Sequence, residues 1–407
     1  MLYVGSTFSN KKEGGTMRWR DIPRHARAYI LYHVIVSPLL ITWYMVPLYM
    51  YMTGYNVLEI GVIFTAVEIL SIPVTYVIGR IFERVPIKHG LILIDALEGT
   101  SCIFYGLAYG PIAPIMLLIG LVIDDVSSMF YPLYQAAERL LYPKDRMEEV
   151  FAWHVRLPEL SQLFGFLVLG YIFGYVFTSP KDYRLAFFFF GASSLVTMAY
   201  LALSLPRMDA KERVEVEKFE FRVDREFRLI LLMEALTTLA WSMAPEIVLL
   251  NYVINVLGKT LFEVMIIEGA ISIGAIAATY MSERISRERR FLAIGIGYSL
   301  ISLWALIMFL GPSLYIAVIA YAVSRFGDTL AFPFYRSWVF GRIPGDKAST
   351  VLSALASYRK IIAIVSPALA GLLASIMPTL PYLVSLLLFI ASSVVMIVYD
   401  RLTSSQS

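Results

Sequence analysis

Cysteine is nearly absent. The one thiol, Cys102, excludes an intrachain disulfide and any cysteine-ligated zinc site. Charged residues make up only 16% of the 407 positions, against about 25% in soluble domains, so water is not the main solvent for this chain. The net charge of +3 is too small to suggest a nucleic-acid partner. The four histidines, His25, His33, His89 and His154, are scattered and form no His-Glu-x-x-His pair, so a zinc-type intramembrane enzyme is excluded. Arg325-Phe326-Gly327-Asp328 shares only its last two residues with the Gly-x-Gly-Asp of aspartyl proteases. A phosphate-binding P-loop is missing as well, which argues against an ATP-driven pump. Asn and Gln together number seven, a weak mark of a hot environment.

What is present is apolar length. Hydrophobic residues make up 58% of the chain, and its mean hydropathy is +0.70. Crossing a bilayer as a helix takes roughly 20 apolar residues. Twelve stretches qualify, near 29–52, 59–82, 88–109, 112–135, 151–177, 183–205, 229–256, 261–281, 291–310, 313–335, 349–376 and 380–399. Gly110-Pro111, Gly311-Pro312 and Met377-Pro378 read as tight turns between them. If the N-terminus is cytoplasmic, the cytoplasmic segments hold 27 of the 34 lysines and arginines and the outer loops three. That asymmetry obeys the positive-inside rule, and an odd number of spans would destroy it. The expectation is a multi-pass protein of the cytoplasmic membrane with both termini inside and no cleaved leader. Residues 1–28 form a basic segment that lies against anionic headgroups, 29–206 a first six-helix half, 207–228 a charged cytoplasmic linker, and 229–407 a second six-helix half.

The two halves repeat one another. At an offset of 201, Tyr131-Pro132-Leu133-Tyr134 meets Phe332-Pro333-Phe334-Tyr335, Pro143 and Asp145 meet Pro344 and Asp346, and Gly170 meets Gly371. Only six of 42 positions are identical over 129–170, so the weight falls on which ones match: proline, glycine and charge fix turns and helix ends. A membrane protein built from two copies of one half is the pattern of a secondary transporter, with its site between the copies.

Gly79-Arg80-Ile81-Phe82-Glu83-Arg84 with Lys88 closes the second span, and Glu283-Arg284 with Arg287 repeats it 200 residues later. This resembles the loop motif of the major facilitator superfamily: a glycine, three residues, an acid and a base, then further basic residues. Pro86, Ile87 and Thr279 depart from the pattern and leave the subfamily open. The resemblance implies an all-α polytopic membrane protein with twelve transmembrane helices in two pseudo-symmetric six-helix halves. It also implies that Gly79, Glu83, Arg84, Lys88, Glu283 and Arg284 act as gating latches. Spans 1, 4, 7 and 10 would line a cavity, with 3, 6, 9 and 12 in support. Proton-linked members often carry an arginine in span 4, where this chain has Asp124 and Asp125. Efflux antiporters often carry Gly-Pro in span 5. Here Gly165, Gly170 and Gly174 occur without it and read as a helix-packing stripe.

Fourteen ionisable residues fall inside the spans: Glu68, Asp95, Glu98, Asp124, Asp125, Glu159, Glu234, Glu246, Glu268, Asp328, Arg156, Arg325, Arg359 and Lys360. Facing lipid at mid-bilayer, each would cost roughly 2.5–3.5 kcal/mol. The sum is on the order of 40 kcal/mol, several times a domain's stability, so most must face protein, water or one another. The repeat pairs Asp124 with Arg325 and Glu159 with Lys360, inverting the sign of charge between the halves, and pairs Glu68 with Glu268. Helical spacing puts Asp124, Ser128 and Tyr131 on one face, and Arg325, Asp328 and Thr329 on another.

The candidate solute- and proton-binding residues are therefore Asp124, Asp125, Arg325, Asp328, Arg359 and Glu68. Asp95 and Glu98 are expected to make structural bonds, Glu234 and Glu246 to sit at the interface, and the four histidines to be interfacial or packing residues. Pro47 and Pro245 are candidates for bends. The expected function is alternating-access transport of a small solute, coupled to protons, by a monomer without metal or cofactor. An efflux antiporter or a non-transporting receptor on the same fold are the alternatives. A receptor would bind its ligand without flux, and an enzyme would turn substrate over in detergent.

Overall fold

Apolar length decides where the helices run, and proline decides where they break. The computed structural model describes residues 18–82, 85–143, 146–208, 224–282, 285, 289–340, 342 and 348–404. All regular structure among them is helical. Twelve helices are long and apolar enough to cross a membrane. Spans 1 to 6 are Arg24–Met52, Val57–Val74, Ile87–Leu107, Gly110–Ser128, Arg156–Val176 and Pro180–Ser204. Spans 7 to 12 are Arg225–Val256, Leu261–Ala278, Arg290–Phe309, Leu314–Val339, Ser357–Ile376 and Leu380–Thr403.

Contacts divide the chain into two units. One holds Ser9–Tyr55 with Ile63–Arg213, the other Asn56–Val62 with Val214–Ser407. The middle of the charged segment between the halves, 209–223, lies outside the described residues, and span 7 begins just beyond it under an Asp224 cap on the Phe227 N–H.

The repeat in the sequence is a repeat of turns. Gly110 and Gly311 both take a left-handed backbone (φ 58° and 69°), where a β-carbon is strained. Each turn is fastened in the same way: Tyr49 donates its hydroxyl to the Ala108 carbonyl, and Tyr252 donates to that of Pro312 at 2.7 Å. Spans 2 and 8 also start alike. The Asn56 side chain accepts the Leu58 and Glu59 amides at 3.0 Å while Glu59 takes the Asn56 N–H at 2.8 Å. Thr260 accepts the Phe262 amide at 3.2 Å and donates its own N–H to Glu263 at 2.9 Å. Side-chain caps of this kind satisfy amides that the first helical turn leaves without partners.

Breaks differ from those the sequence suggests. In span 1 the bend lies at Ser37–Ile41, a 3-10 stretch carrying Pro38, while Pro47 stays inside the following helix. Pro38 has no N–H to offer the carbonyl four residues earlier. That carbonyl, of Val34, instead accepts the Ser161 hydroxyl of span 5 at 2.7 Å. Gly165 lets span 5 approach, since a β-carbon there would sit 2.5 Å from Pro38. Packing, the expected reading of the span 5 glycines, holds at Gly165. Pro245 does interrupt span 7.

Span 4 ends at Ser128, short of the expected 135. A turn follows, and Pro132 starts a separate helix, Pro132–Leu141. In that turn Tyr131 N–H takes the Ser128 carbonyl at 3.2 Å, the acceptor Pro132 cannot use. The equivalent Pro333 stays inside the continuous helix Leu314–Phe340.

Candidate functional site

In the first unit, the break after span 4 aims two tyrosines at the acids of span 3. Tyr131 donates to Glu98 Oε1 at 2.9 Å, with the Ser127 hydroxyl 3.4 Å from the same oxygen. The Tyr134 hydroxyl lies 3.1 Å from that of Tyr32 in span 1, and Tyr32 donates to Asp95. Asp95 is 2% exposed. Asp124, half-buried, stands beside Ser101 and within electrostatic reach of Glu98. None of Asp95, Glu98 and Asp124 pairs with a lysine or arginine among the described residues. Asp125 and Glu68, the other first-half candidates, are half-buried and both engaged by neighbours.

Histidines join this network rather than merely packing. The His33 and His154 rings lie 4.7 Å apart, and His33 meets Tyr29 edge-on at 4.7 Å and Tyr134 at 5.2 Å. His33 Nε2 is buried without a hydrogen-bond partner. His154 Nδ1 shares a hydrogen bond with the Tyr142 hydroxyl and lies 3.8 Å from the Glu138 carboxylate. Glu138 belongs to the short helix outside the spans, and burial pushes its pKa up to about 7.

The second unit places an acid at the position equivalent to His33. Glu234, 201 residues on, is 6% exposed. Tyr335, the repeat of Tyr134, donates to Glu234 Oε1 at 3.0 Å, and Arg359 Nε lies 3.6 Å from Oε2. Arg336 lies over the Phe332 ring at 4.6 Å, within electrostatic reach of Glu234 and Arg359. Arg325 and Asp328 form an ion pair of 3.1 Å one helical turn apart, on the face that spacing assigns them. Buried Tyr298 stands within reach of both Asp328 and Glu234.

Of the expected latch residues, Glu83, Arg84, Glu283 and Arg284 lie outside the described residues, and Gly79 falls in the last turn of the helix Val57–Phe82. Lys88 has a definite place. Its Nζ donates to the Ala202 and Leu205 carbonyls, both at 2.7 Å, and His25 Nδ1 lies 3.2 Å from that of Ser204. A cation at this end completes the carbonyls of the last turn of span 6 and meets the negative end of its dipole. Within its unit, Lys88 is a helix cap.

The sequence offers a signal for what was missed. Tyr131 and Tyr134 stand in the repeated segment, and the 201-residue offset pairs His33 with Glu234 and Tyr134 with Tyr335. Two titratable groups at one repeat position, each beside the same tyrosine, mark a place that both halves use.

Comparison with known proteins agrees with this architecture. A family model described as Major Facilitator Superfamily matches residues 28–367. No curated protein sequence matches the chain. Among solved structures, a bacterial homologue of the iron transporter ferroportin, in an inward-facing state, superposes with a TM-score of 0.71 at 13% identity. It covers 93% of this chain and 98% of its own. A bacterial metal transporter gives 0.68 at 14% identity, covering 92% and 98%, and a nucleoside transporter 0.66 at 12%, covering 93% and 98%. At such identities the likeness is one of fold.

Proposed function

The chain belongs to the major facilitator superfamily, and from that premise we propose that it is a proton-coupled secondary transporter of a small solute, working by alternating access. It sits in the cytoplasmic membrane as a monomer with both termini on the cytoplasmic side. The observation that carries the proton coupling is the set of first-half acids, Asp95, Glu98 and Asp124, held by hydroxyls and paired with no base among the described residues. An unpaired carboxylate out of water sheds its charge by taking up a proton. A carrier can use that to tie a change of shape to protonation. The tyrosine hydroxyls suit either state, since each can donate to the anion or accept from the acid.

The second half supplies the solute contacts. Arg359 and Glu234 lie on spans 11 and 7, Arg325 and Asp328 on span 10. Charged groups at this depth are costly unless they face protein or water, and such a lining can discriminate among polar solutes.

The test is uptake into proteoliposomes under an imposed pH gradient, with labelled solutes chosen by a thermal-shift screen. Accumulation that collapses with a protonophore is expected, and uptake indifferent to the gradient removes the coupling. If Asp124→Asn and Arg359→Ala both transport normally in folded protein, the site assignment is wrong.

A further inference from the structure

Arg359 is half-exposed, at 50%, within a membrane-spanning helix. Arg359 is the third residue of span 11, and a guanidinium near a span end can turn its exposed edge to water or to a ligand. Its ion pair among the described residues runs through Nε alone, at 3.6 Å. Good charge-assisted bonds measure about 2.7–2.9 Å, so this pairing is loose. It leaves both terminal nitrogens of the fork unengaged. Glu234 is the opposite case: buried, with Oε1 taken by Tyr335 and Oε2 facing Arg359. Arg336 lies within electrostatic reach of both. A fork whose two terminal nitrogens are open presents a charged, two-pronged donor to an added anion.

We propose that the Glu234–Arg359 pair is the resting form of an anion receptor, and that the solute carries a carboxylate or phosphate group that docks on the free fork of Arg359. Glu234 acts as an internal stand-in that holds Arg359 in place and competes with the solute for it. Arg336 adds a second positive charge beside the docked group. Planar, two-pronged recognition of this kind is what a guanidinium does and a lysine does not. The inference rests on the reading of the second half as the solute site, and it narrows the solute to an organic or inorganic anion.

The experiment measures binding to the purified full-length protein by thermal shift and tryptophan fluorescence. Its probes are aliphatic and aryl carboxylates, inorganic phosphate and phosphate monoesters, each organic anion set against its uncharged amide or alcohol analogue. At least one anion should stabilise the protein while its neutral analogue does not. Arg359→Gln should weaken that binding roughly ten- to a hundredfold, and Arg359→Lys should recover part of it. Glu234→Gln should tighten it, by about tenfold, because the internal competitor has lost its charge. Glu234→Asp, a milder change should Glu234→Gln fail to fold, draws the carboxylate back from Arg359 and should tighten it less.

The proposal is overturned if no anion in the panel binds, if a bound anion is indifferent to Arg359→Gln, or if Glu234→Gln, folded, weakens it. A lipid headgroup offers the same phosphate. Binding that disappears in nanodiscs when phosphatidylglycerol replaces phosphatidylcholine makes the occupant a lipid and overturns the solute assignment; unchanged binding supports it. Gradient-driven uptake of a neutral solute with no anion binding removes the anion receptor and leaves the transporter. Arg359-dependent anion binding without flux keeps the receptor and removes the transporter.

Discussion

The two halves of this protein are alike where they turn and unlike where they bury charge. Gly110 and Gly311 take the same left-handed backbone, and Tyr49 and Tyr252 each bond a carbonyl beside those turns. Asn56 and Thr260 each cap the helix that follows them, though not through identical bonds. At one interior position the first half has His33 and the second Glu234, each beside the equivalent tyrosine, Tyr134 or Tyr335. Around His33 lie phenols and a second imidazole; around Glu234 lie two guanidiniums. Turn geometry is set by sterics and tolerates little change. Buried polar groups need only be satisfied, and different partners can satisfy them. A duplicated chain can therefore keep its scaffold while its buried charges diverge, and the proposed function divides the chemistry accordingly, with proton exchange in one copy and solute charge in the other.

The largest expected effect breaks that division of labour. Glu98→Gln or Asp124→Asn should cut gradient-driven accumulation tenfold or more while leaving exchange of labelled for unlabelled solute near wild type. Glu234→Gln should instead shift solute affinity and keep the response to the gradient. If Glu98→Gln and Glu234→Gln give the same phenotype, the halves are not specialised. The measurement is paired uptake and counterflow in proteoliposomes.

A second contrast concerns helix packing. A β-carbon on Gly297 would lie 2.5 Å from the Gly327 backbone oxygen, which cannot move away; on Gly295 it would first meet Cγ1 of Ile397 at 2.6 Å, on a side chain that can turn. Gly297→Ala should then cost about 1–3 kcal/mol and Gly295→Ala clearly less. Melting temperatures in detergent decide the order.

Symmetry is tested next. Tyr49→Phe and Tyr252→Phe each remove one hydroxyl from a turn carbonyl and should each cost about 1 kcal/mol. Unequal losses would mean that the two turns are not equivalent in strength.

The smallest effect is confined to pH. Burial holds the Glu138 pKa near 7, above the ordinary carboxylate range. The folded state therefore binds its proton more tightly than the unfolded chain. That contribution is complete at acid pH and is lost as pH rises through about 7. Glu138→Gln should flatten the fall in melting temperature between about pH 5 and 7 and make the protein the more stable form at pH 8. No change in slope would place the titration elsewhere.

The sequence alone determined the twelve spans, the duplication and the places where the chain turns, because membrane insertion and helix formation depend on runs of neighbouring residues. That Arg325 and Asp328 share a helix face was legible from their spacing; that they form an ion pair was not. Where proline breaks a helix was half-legible. Pro132 and Pro333 read alike, yet only the first half turns there, with Tyr131 taking the Ser128 carbonyl. What only the tertiary structure decided is which charge meets which partner. Glu234 is met by Tyr335, 101 residues away, and by Arg359. Asp95 and Tyr32 stand 63 residues apart. Such pairs form when helices distant in the chain pack side by side, and hydropathy along one strand of sequence carries no record of which side chain will be waiting there.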